Sequence, residues 1–295
     1  MNTIVPAIGF GIVTASILAV AGVGFTLQFG VTNILNLAYG DIKTAAAFVA
    51  YLVTSAGLSV WMALVAGAAF GSVFSVLLNR CIYTPFIRRG TRLFGMIIVT
   101  IAVSLIVQNS LLAIFGANFF SLQLPRAASV HIAGMVFTTL QLAIIGIAAA
   151  AMLVIHVLLR YTKLGKAMRA TAADPDLARN CGIATDRVID IAWAISGALC
   201  GLAGVILVEN VTAFTDTTGA QFLIPIVAVA VLGGIGQPYG AMLGALVIGI
   251  ASEVAAAIFN PEYKDVVAFV ILVIVLLARP QGILSEVATR KEVAA

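Results

Sequence analysis

The chain has 295 residues, 62% of them hydrophobic and 9% charged, with a formal net charge of +4. Soluble domains carry about 25% charged residues, and here the apolar excess is grouped into runs of about 20 residues, the length of a helix that crosses a ~30 Å hydrocarbon core. The composition therefore excludes a soluble domain and points to a polytopic membrane protein in contact with lipid. The modest positive charge indicates basic loops at one membrane face rather than a nucleic-acid partner.

Lipid-facing backbone must satisfy its own polar groups, so the spans are expected to be helices. The alternating ~10-residue strands of a transmembrane barrel are not seen. Apolar runs fall near 4–27, 41–56, 60–79, 93–116, 137–159, 188–208, 220–235, 240–258 and 265–278. The opening "MNTIVPAIGFGIVTASILAV" shows neither a basic n-region nor a cleavage site, and reads as a retained first helix. Between the first two runs lies "FGVTNILNLAYG", too short and too polar for an ordinary span. A broken or re-entrant helix near 29–43, buried by protein, is expected there, in an all-α bundle of eight to ten crossings.

Ionisable and amide groups at membrane depth are costly and mark function or specific packing. Asn33, Asn36, Tyr39, Asp41 and Lys43 cluster at this break, either lining a polar translocation path or forming an interfacial turn whose amides satisfy freed backbone. Asp41 and Lys43 are two apart and share no helix face, so each needs its own partner. Glu253, in a later span, is a second path candidate, with a buried helix–helix hydrogen bond as the alternative. Gln108 and Asn109 read the same way.

Orientation follows from the cations. Arg80, Arg88, Arg89 and Arg92 flank one loop; Arg160, Lys163, Lys166, Arg169, Arg179 and Arg187 occupy the loop at about 161–187 and its edges; Arg279, Arg290 and Lys291 follow the last span. The positive-inside rule places all three segments, and the C-terminus, in the cytoplasm, and leaves the side of the N-terminus open. Spacings of two and four spans between the segments agree with that assignment. Gly67 and Gly71, Gly197 and Gly201, and Gly240 and Gly244 have the small-xxx-small spacing of close helix contacts. Cys81, Cys181 and Cys200 form neither CxxC nor a Cys/His cluster, and His131 and His156 are far apart, so no metal site or catalytic set is expected.

The longest polar stretch, "TKLGKAMRATAADPDLARNCGIATDRV", carries helix punctuation. Asp174 suits an N-cap, Pro175 the first helical position, Asp176 the positive end of the dipole, and Gly182 the left-handed residue past the C-terminus. A helix of under two turns has little stability alone, so this one is expected to pack against something. A solvated loop kept basic by orientation is the plain alternative to a docking surface for a cytoplasmic partner.

Residues 162–208 resemble the cytoplasmic loop and following helix of the branched-chain amino acid ABC importer permeases, more narrowly the first of that system's two membrane subunits. "NILNLAYGD", "NRCIYTPF" with "VTIAVSLIVQN", "VAVAVLGGIGQPYGAMLGALVIGIASE" and "YKDVVAFVILVIVLLARPQGIL" match that subunit in order along nearly the whole chain. Two positions depart from the pattern: Tyr39 stands where His or Gln is common, and Lys43 where an apolar residue is usual. The resemblance implies one permease domain over 1–295 in a bacterial inner membrane. It pairs with a second permease, a paralogue or another copy of itself. Two cytoplasmic ATPase subunits and an external binding protein complete the importer. It further implies that Lys166, Arg169, Asp174, Pro175, Asp176, Leu177, Ala178, Arg179 and Gly182 belong to the coupling segment that seats on an ATPase.

The chain lacks GxxxxGK[ST], and "LGKAM" misses both the leading glycine and the hydroxyl. No cofactor is expected on this chain, ATP and Mg²⁺ being bound by the partner subunits. An ion-driven secondary transporter would show inverted repeats and two matched broken helices, where one break and no repeat are found. A channel would show a filter motif. The implied substrates are branched-chain amino acids, with urea, short amides and aromatic acids as the related alternatives.

Overall fold

The computed structural model describes residues 4–122, 129–132, 135–211, 213–278 and 282. The basic tail residues Arg279, Arg290 and Lys291 lie outside the described residues. The first helix, α1 (Ile4–Thr32), runs straight through the sequence's first apolar run and five residues past it. It stops at Asn33, whose φ of 53° is the one positive value outside glycine among the described residues. Asn tolerates this left-handed geometry better than most residues, and the chain then crosses 33–38 before entering α2 (Tyr39–Ser55). The expected break near 29–43 is thus confined to 33–38. Ile34, Asn36 and Ala38 within it are buried, so irregular backbone is shielded by protein as hydrocarbon requires.

A hairpin leads to α3 (Val60–Leu78), which does not end where the sequence suggests a loop. It continues through a π-helical turn, Asn79–Tyr83, into α4 (Thr84–Arg88), so Arg80 and Arg88 are helical rather than loop residues. After α5 (Leu93–Phe115), a two-stranded antiparallel ribbon, β1 (Ser129–Ile132) with β2 (Met135–Thr138), adds a small sheet to an otherwise helical chain. The hydroxyl of Thr138 and the amide of Gln141 cap one another to start α6 (Thr139–Tyr161).

The polar loop folds into α7 (Lys163–Ala173) and α8 (Pro175–Asn180), and leads to α9 (Thr185–Asn210). The apolar remainder forms α10 (Thr218–Gln221), α11 (Leu223–Gly233), α12 (Pro238–Ile258) and α13 (Lys264–Ala278). Among the described residues, six helices are long and apolar enough to cross a membrane. With the shorter α2, the α10–α11 pair and α13 the described residues hold nine apolar segments, within the expected eight to ten.

Helices α1 and α9 form the centre, with 67% and 72% of their apolar windows buried, whereas α5 and α6 reach 22%. Helix α1 packs along α12, α9, α11 and α6, and α9 along α3, α1 and α2. The outer helices turn side chains such as Ile106, Leu153 and Ile274 outward. The α3–α9 contact is a backbone contact. A Cβ at Gly71 or Gly201 would collide with the backbone of Gly197 or of Gly67 and Ala68. Sequence spacing marked Gly67/Gly71 and Gly197/Gly201 as two separate packing devices; they are the two halves of one interface.

Replacing Gly71 by Leu therefore has no rotamer that spares the α9 backbone. Overpacking of this kind costs about 1–3 kcal/mol or more. The expected outcome is loss of the monodisperse peak of a fluorescent fusion in size-exclusion chromatography, whereas Gly146→Leu, where a Cβ meets no neighbour, keeps it.

Candidate functional site

Five of the six predicted path residues fall on the N-terminal half of α2 and the turn before it; of these Asn36, Tyr39, Asp41 and Lys43 are buried and Asn33 is exposed. They do not line one open channel. Each faces a different neighbour, so α2 is ringed by single polar contacts. The Asn36 carbonyl oxygen accepts from the Tyr83 hydroxyl at 3.1 Å, tying the break to the π turn of the α3 extension. The Tyr83 ring in turn lies 5.1 Å from Trp193 of α9.

Tyr39 donates to the carbonyl of Ala21 at 3.0 Å and approaches that of Ser196 at 3.5 Å; its own carbonyl accepts from the Cys200 thiol at 3.2 Å. Nearby, the Ser196 hydroxyl donates to Gln28 at 3.1 Å. Asp41 accepts from the hydroxyl of Ser104 on α5. Thr44 accepts the Gly219 amide at 2.9 Å, which pins α10 to α2. Lys43 points the other way from Asp41, as two-residue spacing demands, and its ammonium stands 4.6 Å from the centroid of the Phe222 ring. Such a cation–π contact gives a desolvated ammonium about 2 kcal/mol.

Several polar atoms here find no partner among the described residues: Gln28 Nε2, Asn36 Nδ2, Asp41 Oδ1 and Trp193 Nε1. Of the five such buried side-chain atoms among the described residues, four lie around α2 and its neighbours, so their number is ordinary and their clustering is the feature. Sequence reading missed Ser104, Phe222, Tyr83, Gln28 and Ser196 as members. Nothing local distinguishes them, because their roles arise only from packing against α2. Gln108 stays partly exposed, and Asn109 is exposed on α5, folding its amide back to the carbonyl of Leu105.

Glu253 sits apart from Asn36 and Tyr39, near the far end of α12. Its Oε1 accepts from the Thr14 hydroxyl at 2.8 Å and from the Lys264 ammonium at 2.7 Å. These groups edge a cavity of about 120 Å³ between α1, α9, α11, α12 and α13. Phe222 and Leu207 form part of its wall, and Lys43 contacts the same Phe222 ring. The expected helix–helix hydrogen bond of Glu253 is present, and it also borders a cavity.

The polar loop holds the second set. Asp174 Oδ1 accepts from the amides of Asp176 and Leu177, both at 3.0 Å, Pro175 occupies the first helical position, and Gly182 has φ of 85°. The punctuation read from the sequence is thus realised in full. Helix α7 is capped by Thr162 through the Gly165 amide, and Arg169 donates to the carbonyl of Leu159 at 2.7 Å, bracing α7 against the end of α6. Lys166, Asp174, Pro175, Asp176, Leu177, Arg179 and Gly182 are exposed, while Ala178 faces inward at 5% exposure and seats α8 on the body. Leu177 projects outward at 61% exposure, an apolar knob on a polar segment.

Behind α8 is a cleft of about 870 Å³ shared with the α3 extension. Arg80 donates to Asp190 through Nε and an Nη, at 2.9 and 2.7 Å, and Asn79 donates to the other Asp190 oxygen at 3.0 Å. Asp186 draws Arg179 and Arg88 from opposite sides at 3.5 and 3.8 Å.

A helical membrane domain with a buried polar seam and a braced, exposed helical loop is the architecture of a transporter permease. Residues 7–276 match the family described as the branched-chain amino acid transport system, permease component, and the chain belongs to that family. It is 32% identical over 289 residues to the high-affinity branched-chain amino acid transport system permease protein LivH of Escherichia coli, covering 93% of each chain. It is 30% identical over 294 residues to BraD, the corresponding permease protein of Pseudomonas aeruginosa, again covering 93% of each. A chain of the PsaBC structure from Streptococcus pneumoniae, in complex with Fab, superposes with a TM-score of 0.52 at 14% identity, over 92% of this chain and 91% of that one, and shares the fold. A permease subunit of this family is a transport component and not itself catalytic.

Tyr83→Phe leaves the whole Asn36 amide unpartnered. An orphaned buried amide costs about 1–3 kcal/mol, so the thermal midpoint of the detergent-purified protein should fall by several degrees, with helix content by circular dichroism unchanged. An unchanged midpoint would show that Asn36 has another partner.

Proposed function

We propose that this chain is one membrane subunit of an importer that carries branched-chain amino acids into the cytoplasm, driven by ATP hydrolysed on separate subunits. The observation that carries the reading is α8: a helix of six residues, capped at both ends, braced from behind and exposing Leu177. An isolated helix this short is unstable; these caps hold a shape ready for a partner. Lys166, Arg169, Asp174, Pro175, Asp176, Leu177, Arg179 and Gly182 form the ATPase-docking segment, with Ala178 as its internal anchor. Two ATPase subunits hold ATP and Mg²⁺, a second permease completes the path, and an external binding protein delivers the substrate. The names of the LivH and BraD relatives support this substrate class.

The basic segments around α4 and α7–α8 face the cytoplasm of a bacterial inner membrane, as does the basic tail. Helix α9 begins beside α8 and ends at the Glu253 cavity, so that cavity faces outward. Asn33, Asn36, Tyr39, Asp41, Lys43 and Glu253 flank the translocation path. The spare valences around α2 support this, because a segment that exchanges polar partners as it moves keeps donors and acceptors in reserve.

Purification of the tagged chain from native membranes should recover an ATPase and a second permease; recovery of the chain alone, active in liposomes without ATP, would sink the reading. Asp174→Ala combined with Gly182→Val removes both caps. Each cap contributes about 1 kcal/mol, comparable to the stability of so short a helix. Leucine uptake is expected to fall at least about tenfold while membrane insertion and basal ATP hydrolysis persist. Normal uptake by that variant would remove α8 from the coupling role.

A further inference from the structure

We propose that the cavity beside Glu253 and Lys264 is a reception subsite for an aliphatic α-amino acid, with the charged backbone of the ligand at its mouth and the side chain in its interior. This rests on the importer reading and deepens it, because it puts a substrate-selecting element within the permease.

The argument starts from the charges. Lys264 spends one of its three ammonium donors on Glu253. Glu253 Oε2 and both carboxylate oxygens of Asp265 accept no hydrogen bond from other described residues, and Asp265 lines the same cavity. Spare cationic donors and spare anionic acceptors at one edge match a zwitterion: carboxylate to Lys264, ammonium to Glu253 and Asp265. Thr14 fixes Glu253 from α1, so the acceptor is positioned before a ligand arrives.

The interior is different in kind. Ile17, Leu18, Leu207, Ile248 and Phe222 line most of it, beside the polar Asn210 and Ser252, whose hydroxyl is spent on the Gly249 carbonyl. A branched hydrocarbon chain gains there about 0.8 kcal/mol per buried CH₂. A hydroxyl or amide is penalised for lost hydration against such walls. The volume of about 120 Å³ approaches the ~150 Å³ of an engineered apolar cavity that admits benzene, and is right for a chain of three or four carbons.

Position completes the argument. The cavity opens among the last turns of α9 and α12 and the first turn of α13, at the opposite end of α9 from α8. A solute released at that face meets the cavity first. Phe222, which lines the cavity, is also the ring that Lys43 approaches.

The test uses the importer purified with its copurifying subunits, in lipid nanodiscs and without binding protein, and measures equilibrium binding of tritiated L-leucine. Saturable binding is expected. 3-Methylbutylamine, which lacks the carboxylate, and 4-methylpentanoate, which lacks the ammonium, should each compete at least about tenfold more weakly, since each forfeits a charge-assisted hydrogen bond. This comparison needs no variant. Lys264→Gln should weaken leucine binding by a similar factor, and Ala268→Leu, which fills the interior, should abolish it.

Absence of binding to the unmodified assembly, equal competition by either analogue, or binding that survives Ala268→Leu would overturn the subsite. ATP-driven uptake with binding protein present separates the two levels. An unmodified assembly that imports leucine, with wild-type uptake in both variants, overturns the subsite and leaves the importer reading in place. An unmodified assembly that imports no leucine overturns the reading beneath it.

Discussion

Contact between the backbones of α3 and α9 is the constraint on which the remainder depends. With glycine on both sides, the helix axes approach until side chains no longer intervene, and dispersion between backbones replaces the hydrophobic drive that lipid cannot supply. Two apolar helices so joined move as one body. Helix α9 connects directly to the polar loop, and Arg80 and Asn79 tie the α3 extension to Asp190. The polar loop, α9 and the α3 extension are thus tied into one unit.

Beside that pair lies a helix whose polar groups are sparingly partnered. Helix α2 carries Asp41 and Lys43 with one partner apiece, the Ser104 hydroxyl and the Phe222 ring, and the turn before it holds Asn36 half-satisfied. A buried polar group without a partner costs about 1–3 kcal/mol. Evolution removes such costs from cores that need only be stable. Here they are concentrated around one helix.

Much of this was legible in the sequence where the signal is local. Run lengths and polarity determined the helices, because hydrocarbon tolerates few alternatives, and the caps at Asp174 and Gly182 are short-range chemistry. The helical break was legible for the same reason, although its narrowing to 33–38 depended on Asn33 accepting a left-handed φ. Long-range partnership was not legible. Ser104 reads as one more small residue in an apolar span, and its hydrogen bond to Asp41 exists only because α5 packs on α2. Lys264 was an unremarked cation at the start of a span, and its meaning comes from Glu253 arriving beside it. The glycine pairs were visible, but which pair meets which is a property of the bundle.

The π turn at Asn79–Tyr83 carries a geometric consequence. It holds one residue more than an α-helical path of the same rise, and one residue is about 100° of rotation. Everything beyond it is therefore turned relative to the membrane-spanning part of α3. Asn79 and Arg80, at the start of the turn, still meet Asp190 on the same α9 that the glycines face, and the phase offset falls between them and Tyr83, which meets Asn36. The turn acts as a fixed gear between two interfaces of different pitch. A chain shortened there by one residue would keep its hydropathy profile intact and lose the register between them.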